Sequence, residues 1–288
     1  MSNGARPRIL PRMKVALVGG GFLGMALTRA LGPGTVVATR SGQWRDGDPP
    51  EGTQMHALDL TADTLDLEPL RDCDALHVAI APGDRAANRR ALYVDGTRRL
   101  LEQSVSTGWT RIVYIGSTSA LPAIDGWVFE NEQRRPGTER GAVQRDAEDL
   151  VLAHGQQHGI PTTVLRLGGL YGPGRPLGRL YRQRREGPLP GDGNAPTNLI
   201  HVEDAVQTSV AALTAPTHVA GVIHVVDDDH TSRRAMYDAL ARANGQPALS
   251  WEREIEPSQP PTGKRVSNLK MKQLLGIRLK HPTHRWRS

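Results

Sequence analysis

Val15-Ala-Leu-Val18-Gly19-Gly-Gly21-Phe22-Leu23-Gly24, close to the start of the chain, decides how the rest is read. An apolar run of strand type stops at a glycine cluster, and a helix-compatible stretch from Phe22 to Leu31 follows. The order is strand, turn, helix, and the glycines are spaced G-x-G-x-x-G. Gly19 permits a tight turn, Gly21 lets backbone amides approach a pyrophosphate, and Gly24 lets the helix pack closely on the strand. The helix N-terminus, beginning at Phe22 and Leu23, then faces the anion. Glycine turns are common and a ligand-free βα turn is the plain alternative. The strand before and the helix after favour a dinucleotide site.

Outward from this turn, strand-type and helix-type segments alternate. Strands are expected at 14–18, 35–39, 55–58, 75–80, 111–116, 162–167 and 221–227. Helices are expected at 85–106, 141–158, 202–213 and 232–243. The first of these helices should bury Leu92, Leu100, Leu101 and Val105, and the second Val143, Ala147, Leu150, Val151 and Ala153. Continuous apolar runs separated by helices predict an α/β fold, a doubly wound parallel sheet covered on both faces. Residues 13–168 are expected to form the dinucleotide-binding core. Residues 169–288 are expected to form mostly a small substrate lobe, with a strand and helices returning to the core. Residues 169–193 are rich in Gly, Pro and Arg and read as loop with one helix. A proline-rich connector, 256–263, precedes a short basic tail.

Composition narrows the function. The chain has 288 residues, 38% of them hydrophobic, and no apolar run approaches the ~20 residues that span a bilayer. The first twelve residues carry Arg6, Arg8 and Arg12 without an apolar stretch behind them, so they do not read as a signal peptide, and Met13 offers an alternative start. The single cysteine, Cys73, excludes an intramolecular disulfide and points to a reducing cytoplasm. The net charge of +6 favours anionic ligands, but with 4% aromatic residues and no RNA-binding motif it does not point to nucleic acid. Arg175, Arg179, Arg182, Arg184 and Arg185 form the densest basic cluster, either a solvated face or a clamp for a phosphate or carboxylate. No metal site is expected: His154 and His158 lie one helical turn apart but have no acid or cysteine beside them.

The end of the second strand bears on the cofactor. An NAD site usually carries an acid there for the ribose 2′-hydroxyl. Here the strand ends in Thr39-Arg40-Ser41. Arg40 can pair with a 2′-phosphate and Ser41 can donate to it, so NADP is favoured, with NAD second, and FAD is disfavoured for want of the acid. Asp59, followed by Leu60, ends the third strand. It can meet an adenine amino group or cap the next turn. Ala79 and Ala81 follow the fourth strand, and their small size lets a cofactor lie close.

The chain resembles the short-chain dehydrogenase/reductase superfamily, in its extended or atypical branch of epimerase/dehydratase-like proteins. The resemblance covers residues 13–285. It rests on the glycine turn, Asp59-Leu60, Val94-Asp-Gly-Thr97, Val113-Tyr-Ile-Gly-Ser-Thr-Ser119, Leu165-Arg-Leu-Gly168-Gly169-Leu-Tyr-Gly-Pro-Gly174, Asn198-Leu-Ile-His-Val-Glu-Asp204 and Gly263-Lys-Arg-Val-Ser-Asn268. It implies an NAD(P)-dependent oxidoreductase or epimerase/dehydratase-like enzyme acting on a small carbonyl or anionic substrate, with Gly168 and Gly169 beside the cofactor. It also implies a Tyr-x-x-x-Lys pair, in which tyrosine moves the proton and lysine lowers its pKa and holds the nicotinamide ribose, plus a hydroxyl that orients the substrate carbonyl. Ser117 matches the hydroxyl. Arg140 stands where tyrosine belongs and Gln144 where lysine belongs. None of Tyr93, Tyr114, Tyr171, Tyr181 and Tyr237 has lysine four residues on. Glu130 and His201 are the titratable substitutes expected near the lobe, and Arg140 can hold an anion or a carbonyl oxygen. The missing pair keeps a second reading open, a non-catalytic NADP(H)-binding redox sensor or scaffold.

Overall fold

A computed structural model describes residues 13–82, 88–104, 107–179, 187–255 and 262–283. Arg6, Arg8, Arg12, Val105, Tyr181, Arg182, Arg184, Arg185 and residues 256–261 of the connector lie outside the described residues.

Seven strands form one parallel sheet: β1 (Val15–Val18), β2 (Val36–Thr39), β3 (Gln54–Ala57), β4 (Ala75–Val78), β5 (Arg111–Ser117), β7 (Thr162–Leu167) and β10 (Gly221–Val225). Their order is β3-β2-β1-β4-β5-β7-β10. The chain winds one way from β1 to β3 and the other way from β4 to β10, so the direction reverses between β1 and β4. Ligands of such sheets bind at that reversal, beyond the carboxyl ends of the strands. The doubly wound α/β arrangement read from the apolar runs is the one observed. β1, β4 and β7 are buried along their whole length, which explains why their sequences do not alternate.

Helices cover both faces. On one, α2 (Thr97–Gln103) and α3 (Glu139–His158) pack Leu100, Leu101, Val143, Ala147 and Val151 against Leu76, Tyr114 and Val164. On the other, α1 (Phe22–Leu31), α4 (Val202–Leu213) and α6 (Leu269–Leu275) contribute Leu23, Ala205, Ala212 and Met271 against Val113, Leu165 and Ile223. A separate apolar cluster joins Tyr171, Leu177, Leu199 and Trp251 to Met236, Tyr237 and Leu240 of α5 (Arg233–Ala243). Two small parallel pairs complete the fold. β8 (Gly169–Tyr171) lies on β9 (Leu199–His201), and β6 (Gly126–Val128) lies on β11 (Lys264–Val266).

The structure corrects the expected 85–106 helix. Before α2, Ala91–Gly96 is wound as a π-helical turn. Leu92 is only partly covered, and Tyr93 and Val94 turn into the core instead. Residues 79–80 likewise leave the sheet: Ala79 donates its amide to Val18 but lies past the end of β4.

Two histidines sit wholly inside the sheet, His77 on β4 and His224 on β10, and His224 Nδ1 lies 4.0 Å from Glu130 Oε1. Burial drives both pKa values down to about 3, and the Arg166 charge adds to the effect on His224. Both rings are therefore neutral in the folded chain, whereas in the unfolded chain they protonate near the ordinary value of 6.5. Between those limits the unfolded chain binds more protons. Stability should fall as pH drops from 6.5 toward 3, by about 1.4 kcal/mol per pH unit for each histidine. Denaturant unfolding across this range should show His77→Leu losing stability less steeply than the wild type, by one histidine's share. Parallel pH curves would show that His77 does not titrate as its burial demands.

Candidate active site at the carboxyl edge of the sheet

The glycine turn lies between β1 and α1 and has three differently constrained glycines. Gly19 has φ +115°, and a Cβ there would lie 2.3 Å from the carbonyl oxygen of Ala79. A Cβ on Gly24 would lie 1.9 Å from the carbonyl oxygen of Gly19, so the helix rests on the turn as well as on the strand. Gly21 differs: a Cβ there would meet nothing within 4 Å. Protein packing explains the first two glycines and leaves the third without a reason inside the chain. Gly21 is also the N-cap of α1, which has no side-chain cap and no acid in its first turn. Unshared amides at a helix start attract an anion. Open space over Gly21, an uncapped helix and close backbone approach at Gly19 fit a bound pyrophosphate.

Around the turn, the other expected cofactor residues separate by role. Arg40 is exposed and has no hydrogen bond or ion pair among the described residues. Ser41 Oγ accepts from the Gln43 amide at 3.4 Å. Asp59 caps its own turn, accepting from the Thr61 amide at 2.9 Å and the Thr61 hydroxyl at 2.7 Å. These bonds hold its carboxyl below the usual range, and the Arg40 charge adds a little. Leu60 is buried, whereas Ala81 is exposed. Gly168 and Gly169 have a packing reason: a Cβ would lie 2.5 Å from the Asn198 carbonyl oxygen in one case and 2.6 Å from Leu199 Cδ2 in the other. They let β8 close on β9.

At the end of β5, Ser117 Oγ accepts from the Ser119 amide at 3.1 Å and contacts the Ser119 hydroxyl at 3.0 Å. It caps the single turn Thr118–Ala120. Lys264 closes the other end of that turn, donating to the carbonyls of Thr118 and Leu121 at 2.8 and 3.0 Å. Arg140 is exposed in the first turn of α3, whereas Gln144, one turn on, is buried.

Beneath Ser117 lies a polar layer that the apolar strand patterns concealed. Gly116, Arg166 and His224 are register partners on β5, β7 and β10. Arg166 Nε donates to Glu148 Oε2 at 2.7 Å, with the two side chains 1% and 0% exposed. Glu148 occupies the space that Gly116 leaves, because a Cβ there would lie 2.3 Å from its Oε1. Burial pushes the Glu148 carboxyl up, against the pull of Arg166.

Glu130 and His201, the two titratable candidates, each accept a backbone amide. Glu130 Oε1 accepts from the His224 amide at 3.0 Å, and Lys270 Nζ donates to the Val222 carbonyl at 2.6 Å. Together they cover the open edge of β10. His201 caps α4, its Nδ1 accepting from the Glu203 amide at 3.2 Å. Its ring stacks on His281 with centroids 3.6 Å apart, and burial first, then His281, lowers its pKa. His201, Glu203 and His281 also bring possible metal-ligand atoms within 4.8 Å of one another, a grouping hidden in sequence by the distance to residue 281. There Glu203 Oε2 already lies 3.4 Å from His281 Nε2 and 3.7 Å from Lys280 Nζ.

A cavity of about 180 Å³ opens beside β8, lined by Tyr171, Arg175, Leu177 and Arg179 among others. The Arg175 guanidinium also lies 5.9 Å from the Phe22 ring, so this cavity adjoins the glycine turn. Among the described residues no helix is long and apolar enough to cross a membrane.

The comparisons agree with this geometry. Protein YeeZ of Escherichia coli K12 is 29% identical over 281 residues, covering 93% of this chain and 96% of its own. YtcB of Bacillus subtilis, described as an uncharacterized UDP-glucose epimerase, is 28% identical over 219 residues, 67% of this chain and 69% of its own. The solved structure of UDP-glucuronic acid 4-epimerase from Bacillus cereus, in complex with NAD, superposes with a TM-score of 0.75 at 21% identity. It covers 92% of this chain and 94% of that one. The family model for the NAD dependent epimerase/dehydratase family matches residues 15–226. With the glycine turn, the sheet order and this match together, the chain belongs to the NAD dependent epimerase/dehydratase family, a branch of the short-chain dehydrogenase/reductase superfamily.

Proposed function

We propose that the chain is an NADP-dependent oxidoreductase or epimerase/dehydratase-like enzyme that works without a Tyr-x-x-x-Lys pair. Residues 13–168 would hold the dinucleotide, and residues 169–288 would supply most of the substrate lobe. The observation that carries the reading is Gly21, a helix-capping glycine with open space where its side chain would be. Gly19, Gly21, Phe22, Leu23 and Gly24 would hold the pyrophosphate, and Arg40 with Ser41 the 2′-phosphate. A bound nicotinamide supplies two-electron redox chemistry at a carbonyl or alcohol carbon. Ser117 would orient that carbonyl, and Arg140 or the Arg175–Arg179 cavity would hold an anionic group. YtcB's description makes a nucleotide sugar the first substrate class to try. A buried lone cysteine suits the cytoplasm. Neither nucleic acid nor a membrane is a partner in this reading.

Arg40 is the specific test of cofactor choice. Calorimetry should find NADP(H) bound more tightly than NAD(H), and Arg40→Ala should remove most of that preference, about 1–3 kcal/mol for one charge-assisted contact. Equal affinities in the wild type would end the NADP reading and leave NAD. The reaction is tested by NADPH oxidation against a panel of carbonyls and nucleotide sugars. The second reading, a redox sensor or scaffold, draws on Arg140 and Gln144 standing where the proton-transfer pair belongs. Tight NADPH binding with no turnover across the panel would favour it.

A further inference from the structure

His201, Glu203 and His281 are brought together by two elements that are already tied to one another. His201 is the N-cap of α4, and Glu203 is the second residue of that helix. His281 lies on the segment 278–281, whose backbone α4 holds. The buried Asp204 accepts the amides of Lys280 and His281 at 2.8 and 2.9 Å. Gln207 Nε2 donates to the Arg278 carbonyl at 3.0 Å. The three side chains therefore converge in the ligand-free chain, with no loop left to order.

Their spacing suits a single cation. Tetrahedral bonds of about 2.0–2.1 Å place two donors about 3.3–3.4 Å apart. Glu203 Oε2 already lies 3.4 Å from His281 Nε2. One nitrogen or oxygen from each of the three residues lies within 4.8 Å of the other two, so the remaining gap closes by side-chain rotation. His201 Nδ1 presents a lone pair here, accepting from the Glu203 amide at 3.2 Å. A cation takes over that lone pair, and the amide, at the exposed start of a helix, turns to water. Two imidazoles and a carboxylate suit Zn²⁺ and its neighbours among the transition metals, whereas Mg²⁺ and Ca²⁺ select oxygen ligands. Lys280 Nζ, 3.7 Å from Glu203 Oε2, is the competing cation. His154 and His158, the pair that stands out in sequence, have ring centroids 4.4 Å apart and no third ligand among the described residues.

We propose that His201, Glu203 and His281 form a site for a divalent cation of the Zn²⁺ class, which clips the 278–281 segment to the start of α4. Three protein ligands leave a fourth position to water. The His201 ring also meets Tyr171 edge-on, with centroids 5.2 Å apart, and Tyr171 lines the cavity beside β8. The clip thus steadies one wall of that cavity. The site is independent of the dinucleotide reading.

The test is calorimetric titration of the full chain, first stripped of metal with a chelator, using ZnCl₂ and, in parallel, MgCl₂. One Zn²⁺ per chain should bind and raise the thermal midpoint, because an ion held only by the folded chain stabilises it. Mg²⁺ should do neither. His281→Ala and Glu203→Gln should each weaken Zn²⁺ binding at least about tenfold. His281 is half-buried and Glu203 exposed, so both variants should fold and keep the NADPH affinity of the wild type. Lys280→Met should bind Zn²⁺ more tightly, since it removes the competing charge. His154→Ala should bind like the wild type. If Zn²⁺ does not bind, if His281→Ala binds it as tightly as the wild type, or if His154→Ala is the variant that loses it, the site falls and the dinucleotide reading stands.

Discussion

Gly21→Val should abolish dinucleotide binding and leave the fold intact. Gly21 has φ −78° and ψ −168°, an extended conformation that valine adopts without strain. A Cβ at this position meets nothing within 4 Å, so the branched side chain has room in the ligand-free protein. The room it takes is the face over the α1 N-terminus where a pyrophosphate would lie. NADPH affinity should fall by at least about a hundredfold, close to 3 kcal/mol, with an unchanged thermal midpoint. Gly24→Ala is the control. Its Cβ would lie 1.9 Å from the Gly19 carbonyl oxygen, so this smaller substitution should lower the midpoint itself. Two glycines of one motif are thus expected to fail in opposite ways. Wild-type NADPH affinity in Gly21→Val would make the turn purely structural.

The parts of this protein that were legible in sequence are those where one physical cause dominates a stretch. β1 and β4 are buried on both faces and mostly apolar, so their runs announced them. α4 begins where a capping histidine meets Glu203 and Asp204, acids that suit a helix start. What escaped notice depends on partners far away in the chain. β6, β8, β9 and β11 have three residues each and exist only because they pair with one another. The π-turn at Ala91–Gly96 shifts burial from Leu92 to Tyr93, and helical periodicity alone cannot register it. His281 joins His201 across 80 positions, and Glu130 reaches the His224 amide across 94. Arg166 was visible within Thr-Thr-Val-Leu-Arg-Leu and Glu148 within α3, but charges embedded in such patterns read as surface. The missing signal was their coincidence with Gly116, whose lack of a side chain makes the space in which Glu148 sits.

That buried pair carries the largest stability effect expected in the molecule. Arg166 and Glu148 are both excluded from water and joined by a 2.7 Å bond. Removing one partner strands the other as an uncompensated charge, so Arg166→Met should cost about 3–5 kcal/mol in denaturant unfolding. The loss should depend on pH in a direction opposite to that set by the histidines. Without Arg166, the burial that already pushes the Glu148 carboxyl up acts unopposed. The folded variant then holds a proton that the unfolded chain releases, so its stability should decline as pH rises above the ordinary carboxylate range and recover on acidification. Arg166→Met with Glu148→Leu removes both charges and should regain most of the loss, because an apolar pair of similar volume has no desolvation cost to offset. A double variant no more stable than Arg166→Met alone would mean that shape, and not charge, is what the pair contributes beneath Ser117.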